Sequence, residues 1–179
     1  MAAMLKTPKL VVVLGFSVLM LGCGGDDDDS PGFTADVSGT YTVALTNSSV
    51  NATSASCPFR NSMPGEMSVG VMFNITQNGN ALTGTVTDPA SALILGLTLG
   101  TANFSGSVSG NDVMMLASGT LSRTEGSCAY FMNATLSATL SENALSGTVT
   151  YAPDTNNSPE CATLVCSATQ AFSGSRPPR

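Results

Sequence analysis

The chain has 179 residues with six basic and 12 acidic side chains, no histidine and no tryptophan, and its net charge is −6. Two lysines lie within the first ten residues, so four arginines are the cations of the remaining chain. This acidic balance argues against binding to nucleic acid or to anionic lipid headgroups, because both need clustered Lys and Arg. The lack of histidine excludes ordinary Ser-His-Asp and Cys-His catalysis.

Residues 1–22 are typical of an export signal. Two lysines precede the uncharged stretch Leu10–Leu21, which is too short to cross a hydrocarbon core of about 30 Å. A basic start, a short apolar stretch and small residues at its end predict a signal peptide. The segment LMLGC at 19–23 resembles the bacterial lipobox, with Met20 where that family usually has Leu. The resemblance implies cleavage before Cys23 and a lipid on its thiol, palmitate among its acyl chains. The alternative is an ordinary secretory signal or an uncleaved anchor.

Residues 23–35 are interpreted as a lipidated acidic linker. Asp26–Asp29 stand among Gly, Ser and Pro, and like charges favour an extended chain. Gly24 follows the cysteine at the position where an Asp retains well-studied Gram-negative lipoproteins at the inner membrane. The resemblance therefore implies a lipid anchor in the outer membrane, with the domain facing the periplasm or the cell surface.

The folded domain is predicted over 36–174, followed by a disordered tail at 175–179. Period-two alternation is abundant and long helical periodicity is missing, which predicts β-structure. Val69, Val71 and Phe73, for example, are expected on one face of the second strand. The eight predicted strands lie near 39–46, 69–77, 81–88, 101–109, 112–121, 130–140, 144–151 and 167–174.

A four-residue pattern recurs in four of these strands. It consists of a large apolar residue, Ser or Thr, Gly, and again Ser or Thr, and it begins at Leu82, Phe104, Leu145 and Phe172. Each time the glycine is in phase with the face predicted to be buried. Glycine inside a strand often marks a close approach of another backbone. We therefore expect these glycines to face the crowded interior of a small closed sheet.

Long and short connections alternate along the predicted strands, so an up-and-down meander places every long connection at one end. The four cysteines after Cys23 all lie in or beside long connections, and an oxidising compartment favours two disulfides. Closure of the sheet brings the first and last long connections together. We therefore expect Cys57 to pair with Cys161 or Cys166, and Cys128 to pair with the other. A local link between Cys161 and Cys166 is the alternative.

Eight antiparallel strands of this kind predict an all-β fold, an up-and-down barrel wide enough for packed side chains or one small ligand. The strand layout resembles the lipocalin and avidin group of barrels. Within it the segment SGTY at 38–41 is similar to the Gly-x-Trp of lipocalins, with Tyr41 at the aromatic position. Avidin-type biotin sites depend on several Trp, and without any Trp the resemblance implies no biotin binding. A β-sandwich is the alternative architecture.

Side chains suited to catalysis or to metal binding are scarce. After residue 22 there is neither Lys nor His, so we expect no enzyme, no catalytic residue and no cofactor. Without His or a Cys-x2-Cys pair, zinc is not expected. The spacing of Met63 and Met67 suits Cu(I), but Met more often fills gaps in a core. We therefore expect no metal site.

The connection 89–100 is unusual because it is apolar from Ala92 to Leu99 although it lies between strands. It is interpreted as a lid over the barrel mouth, as an apolar lip for a ligand or partner, or as an extra strand or short helix that completes the core.

Two functions follow from this organisation. The first is a structural or protein-interaction role in the cell envelope, with a filled barrel and another envelope protein as partner. The second is binding of a small apolar ligand at the end with the long connections. The aromatic residues expected to line such a ligand site are Phe73, Phe104, Phe131 and Tyr41.

Overall fold

A computed structural model describes residues 34–179. The predicted signal peptide, Cys23 and the linker up to residue 33 lie outside the described residues. The strands of the described part are β1 Gly39–Ala52, β2 Met67–Asn78, β3 Ala81–Val86, β4 Asn103–Ser109, β5 Asp112–Ala117, β6 Arg123–Glu125, β7 Cys128–Ser141, β8 Ala144–Asp154 and β9 Cys166–Ser175. Its helices are α1, Pro89–Thr98, and a short 3-10 helix, Pro159–Cys161.

Eight of these strands close into one antiparallel barrel. Neighbours in the chain pair with each other, β5 pairs with β7, and β9 pairs back with β1. The short strand β6 pairs with the start of β7, with Arg123 opposite Tyr130. Because every strand of the ring has two partners, the ring has no open edge. The predicted all-β barrel is thereby confirmed, and the β-sandwich alternative is wrong.

All eight predicted strands are present, but several are longer than expected. β1 continues to Ala52 because it stays paired with β9 as far as Cys166. β8 continues to Asp154, which pairs with Phe131 of β7. The predicted connection 122–129 contains β6 and the first residues of β7. Cross-strand pairing, rather than local alternation, therefore sets where these strands end.

The predicted face of β2 is wrong at one residue. Val71 is buried as expected, but Val69 is 71% exposed. Gly70 between them has φ 76°, and the register of β2 against β1 shifts at this point. A bulge adds one residue to a strand and reverses the alternation beyond it. Ser68 therefore takes the inward position that the sequence pattern assigned to Val69.

The glycines of the recurring pattern do face a crowded interior. A Cβ atom built on Gly106 would lie 2.0 Å from the carbonyl oxygen of Met114, and one on Gly147 would lie 2.0 Å from that of Ser137. At Gly84 the same atom would lie 2.5 Å from Cζ of Phe73. The first two contacts are with the backbone of the paired strand. The paired strands approach so closely at these positions that no side chain fits between them.

Residues 34–38 close the end of the barrel that carries the short turns. Ala35 and Val37 are buried. The Ala35 amide donates to the carbonyl of Gly110, in the turn between β4 and β5, over 2.8 Å. The Val37 amide donates to the Gln77 side chain at the end of β2, also over 2.8 Å. The folded domain therefore includes Ala35, which was predicted to belong to the linker. The chain enters the domain at the end opposite the long connections.

The residues predicted as a disordered tail, 175–179, instead contact this segment. Ser175 is the last residue of β9. The Arg176 guanidinium donates to the carbonyl oxygens of Asp36 and Ser38, and Arg179 forms an ion pair with Asp36. Buried backbone carbonyls need hydrogen-bond donors, and the tail arginines supply them here. The partners are about 140 residues away in the chain, so the sequence of the tail alone does not predict this contact.

Two disulfides lie at the opposite end. Cys57 is bonded to Cys166, with 5.4 Å between their Cα atoms, and Cys128 is bonded to Cys161, with 4.8 Å. This pairing confirms the prediction that closure brings the first and last long connections together. The local alternative, Cys161 with Cys166, is wrong.

Candidate functional site

An apolar cavity of about 120 Å³ lies at the end of the barrel that carries the long connections. Its walls are the inner faces of the barrel strands, one face of α1 and part of the connection after β1. The lining residues are Val43, Leu45, Phe59, Ser68, Val71, Phe73, Val86, Ser91, Ile94, Leu95, Thr98, Phe104, Leu136, Val149, Tyr151, Gln170 and Phe172. None of these lining residues carries a charge.

Three phenylalanines from three strands form an aromatic wall. The Phe73 ring lies edge-on to Phe104, with ring centroids 5.5 Å apart, and to Phe172, at 6.4 Å. Edge-to-face pairs at these distances are favourable. Gly84 leaves room for the Phe73 ring, since a Cβ there would overlap it. The wall therefore belongs to the close-packed core and is in place without a ligand.

Helix α1 covers the cavity. Ser91, Leu95 and Thr98 line it, at the i, i+4, i+7 spacing of one helix face. The helix begins at Pro89, after Asp88 caps its N-terminus by accepting from the Ser91 amide over 2.8 Å. Asp and Pro are both favourable at these positions, and the hydrogen bonds from Ser91 lower the pKa of Asp88. Of the interpretations of segment 89–100, the structure shows a short helix over the barrel mouth.

The C-terminus of α1 is also anchored. Arg123, in β6, donates from Nη2 to the carbonyl oxygen of Leu97 over 2.6 Å and to that of Thr98 over 3.3 Å. A cation at this end of a helix satisfies free carbonyls and the helix dipole. The next residue, Leu99, is fully buried, and its carbonyl accepts from the Thr120 amide over 2.7 Å. Both ends of the helix are thus fixed to the barrel.

The connection between β1 and β2 provides the second cover. Its Phe59 ring lies 4.8 Å from the Tyr151 ring, two residues after the disulfide-bonded Cys57. The Glu125 carboxylate accepts from the amides of Ala55 and Ser56, and these hydrogen bonds, with that of Ser56 first, lower its pKa. A covalent bond and two charge-assisted hydrogen bonds therefore hold this connection over the cavity.

One side of the cavity carries a chain of polar groups. The Tyr151 hydroxyl donates to Gln170 over 3.3 Å, and the Gln170 amide donates to Asn47 over 2.8 Å. Asn47 in turn donates to Glu66 over 3.2 Å. Asn47 and Gln170 are directly opposite each other in the pairing of β1 with β9. Because buried polar groups need partners, these residues satisfy one another on an otherwise apolar inner face.

The Tyr151 hydroxyl stays neutral at physiological pH. Burial raises the pKa of Tyr151 to about 12, because a phenolate is poorly solvated there. The cavity therefore offers neutral hydroxyl and amide groups and no charge to a bound molecule. Such a surface favours uncharged apolar molecules, since burying an unpaired ion is very unfavourable.

Two of the four predicted aromatic residues, Phe73 and Phe104, line the cavity. Tyr41 does not, since it is buried near the closed end and its hydroxyl donates to the Val37 carbonyl over 3.0 Å. Phe131 does not either, because it lies on the outer face of β7, between the buried residues Tyr130 and Met132. Its place in the alternation, readable from the sequence, excludes it from the interior.

Leu95 and Thr98 were not predictable as lining residues, because the sequence of segment 89–100 does not define which of its faces is turned inward. Tyr151 was missed as well, although its alternation with the inward-facing Val149 was a usable signal. Asn47 lies just beyond the first predicted strand. Gln170 is in phase with Phe172, but polar residues in a strand are normally assigned to the outer face. Their inward position depends on their being paired with each other.

The structure also bears on other candidate sites. Among residues 34–179, no three His, Cys, Asp or Glu side chains are placed to hold a metal ion together. Met63 and Met67, weighed for Cu(I), are 66% and 65% exposed. Within the same range, no helix combines the length and the apolar character needed to cross a membrane.

Comparison with known proteins adds no relative, because no family model, curated protein or solved structure matches this chain. The architecture and the site define its class. It is a closed eight-stranded antiparallel β-barrel, consistent with lipocalin- and avidin-like barrels, with a covered apolar cavity at one end.

Proposed function

We propose that this protein binds a small apolar ligand in the cavity beneath α1. The observation that carries the proposal is the space itself, about 120 Å³ between the helix and the barrel strands. Close-packed interiors contain few voids larger than a water molecule. Binding sites for small molecules are concave and mostly apolar, with a few polar groups. The aromatic wall and the Tyr151–Gln170 pair match that description. No lining residue is suited to proton transfer, so the proposal includes no catalytic step.

We also propose that lipid on Cys23 tethers the domain to the outer membrane, facing the periplasm or the cell surface. The lipobox-like segment supports the anchor, and the entry of the chain supports the orientation. Ala35 packs at the closed end of the barrel, and the cavity lies at the other end. A tether that leads to Ala35 would direct the cavity mouth away from the membrane. Metabolic labelling with palmitate should mark the wild-type protein and leave Cys23→Ser unlabelled; label on both would contradict the anchor.

Native mass spectrometry of the unlipidated domain, purified from cells, tests ligand binding. We expect a co-purifying mass that is lost in Val149→Phe, because Val149 lines the cavity and a larger side chain would fill it. The matched control is Thr150→Phe, since Thr150 lies on the exposed face of the same strand. A clean apo mass for the wild-type protein, together with no uptake of added apolar molecules, would contradict the proposal.

The second candidate is a structural or protein-interaction role in the cell envelope. It is supported by the outer face of α1, where Leu93 and Leu97 are each more than 60% exposed, and by Ile94 at the edge of the cavity, which is also more than 60% exposed. Apolar side chains clustered at a surface are typical of contact sites. Cross-linking in intact cells through a photoreactive residue at position 93 tests this role, and a single defined partner that is lost in Leu97→Asp would support it. Adducts of similar yield from a photoreactive residue at Thr148, on the barrel wall, would contradict it.

A further inference from the structure

The volume of the cavity limits the size of its ligand. An engineered protein cavity of about 150 Å³ lined by Leu, Ile and Phe binds benzene or xenon. The cavity beneath α1 has about 120 Å³ and a similar lining. The enclosed space therefore suits one aromatic ring or a short branched chain.

Thr98 supplies an unused polar group in this cavity. Its side chain lines the cavity and only 9% of the residue is exposed. The backbone carbonyl of Thr98 accepts from Arg123, but within residues 34–179 its hydroxyl makes no hydrogen bond. Among residues 34–179 the buried side-chain polar atoms without a partner are Nε of Arg123 and Nε of Arg176, so the Thr98 hydroxyl remains accessible. An accessible, unpaired hydroxyl on a residue that lines an apolar cavity is available for a hydrogen bond with a bound molecule.

The other polar groups of the lining are less available. Tyr151 and Gln170 bond to each other, and Gln170 also bonds to Asn47. Side-chain hydrogen bonding from Ser91 lowers the pKa of Asp88, the N-cap of the same helix. Ser68 is exposed at the cavity rim. Thr98 is therefore the lining residue that is both buried and free to pair with a ligand.

We infer that the ligand is an uncharged molecule of about one ring, with a hydroxyl or similar head group that pairs with the Thr98 hydroxyl. This inference rests on the proposed ligand-binding function and assigns the ligand its chemical class. Charge is excluded from that class because no cation or anion lines the cavity to pair with a buried ion. Because Thr98 belongs to α1, a head group paired with it would lie against the helix.

Titration calorimetry with phenol, benzene and benzoate at neutral pH tests this inference on the intact domain. We expect phenol and benzene to bind and benzoate to show no binding. In Thr98→Val, which keeps the shape and removes the hydroxyl, phenol should bind about three- to tenfold more weakly, as expected for the loss of one neutral hydrogen bond. Benzene should bind as well as before or slightly better. Thr98→Ser keeps the hydroxyl and should retain most of the affinity for phenol.

Thr148→Val, on the exposed face of β8, is the matched control and should leave every affinity unchanged. Equal affinity of wild type and Thr98→Val for phenol would overturn the role of Thr98 and leave the proposed function standing. Tight binding of benzoate would overturn the assignment to uncharged ligands. Failure of all three probes to bind, benzene included, would instead overturn the proposed function.

Discussion

Replacement of Gly147 by Ala tests how tightly the barrel wall is coiled. The new Cβ would lie 2.0 Å from the carbonyl oxygen of Ser137 and 2.5 Å from Cα of Ala138, whereas ordinary contact begins at 3.4 Å. These neighbours are backbone atoms of the paired strand, so β7 and β8 must move apart by about 1 Å or more. The backbone hydrogen bonds between β7 and β8 before and after the Gly147–Ala138 pair would then be lost.

The expected loss of stability is large. Two or more backbone hydrogen bonds contribute about 1 kcal/mol each, and the packing around them adds to this, so we expect Gly147→Ala to lower the free energy of unfolding by about 3–5 kcal/mol. For a domain of this size that corresponds to a melting temperature about 10–15 °C lower. Gly106→Ala should behave alike, because its Cβ would also lie 2.0 Å from a backbone oxygen.

Urea unfolding followed by circular dichroism, with the disulfides intact, measures the change. Gly96→Ala is the control, since Gly96 is in α1 and a Cβ there would contact nothing within 4 Å. It should stabilise the protein by about 0.5–1 kcal/mol, because Ala is the better helix former. If Gly147→Ala lost less than about 1 kcal/mol, the close strand approach would not be a real feature of the folded protein.

Three further predictions concern the end of the barrel that carries the long connections. Cys57→Ser combined with Cys166→Ser removes a link between residues 109 apart, so unfolding should need about 4–5 kcal/mol less by the chain-entropy relation; unchanged calorimetric stability would contradict this. Tyr151 ionises near pH 10 when unfolded and at about 12 when folded, so stability should fall as pH rises through this range. Between pH 10 and 12, the free energy of unfolding measured by urea titration should fall less in Tyr151→Phe than in the wild type. Equal losses would contradict the burial of Tyr151 as the cause of the pH dependence. Hydrogen bonds lower the pKa of Glu125 in the folded state. Their contribution to the free energy of unfolding is therefore present above pH 4.5, the ordinary pKa of this carboxyl, and is lost as the pH falls below that value. In Glu125→Gln the free energy of unfolding should therefore fall less steeply as the pH decreases below 4.5. An unchanged pH dependence would mean that other carboxylates cause the loss of stability in acid.

The alternation of apolar residues determined which strands form and, for most of them, which face is buried. Met132, Ala134 and Leu136 illustrate this, since the pattern assigned them to one face and all are buried. The strict sequence of long and short connections determined the up-and-down topology. In a closed sheet that topology brings the first and last long connections together, so Cys161 and Cys166 were predictable as the partners of Cys57 and Cys128. Which of them pairs with Cys57 was decided only by the tertiary structure.

Other features were decided by contacts between residues far apart in the chain. The bulge at Gly70 depends on pairing with β1, and it exchanges Val69 for Ser68 at the cavity rim. The C-terminus of α1 is held across the cavity by Arg123, which is 26 residues after Leu97. A local pattern cannot report such partners, because it contains only near neighbours.

The candidate site shows the same division. Phe73 and Phe104 were predictable, because large apolar residues in phase with a strand's inner face must enter the core. The cavity itself was not, because an empty space is the difference between the volume the barrel encloses and the volume its side chains occupy. That difference is set only when the strands close and α1 is anchored across the opening. Thr98 becomes a candidate ligand group at that stage, when the anchored helix places it in the wall of the cavity.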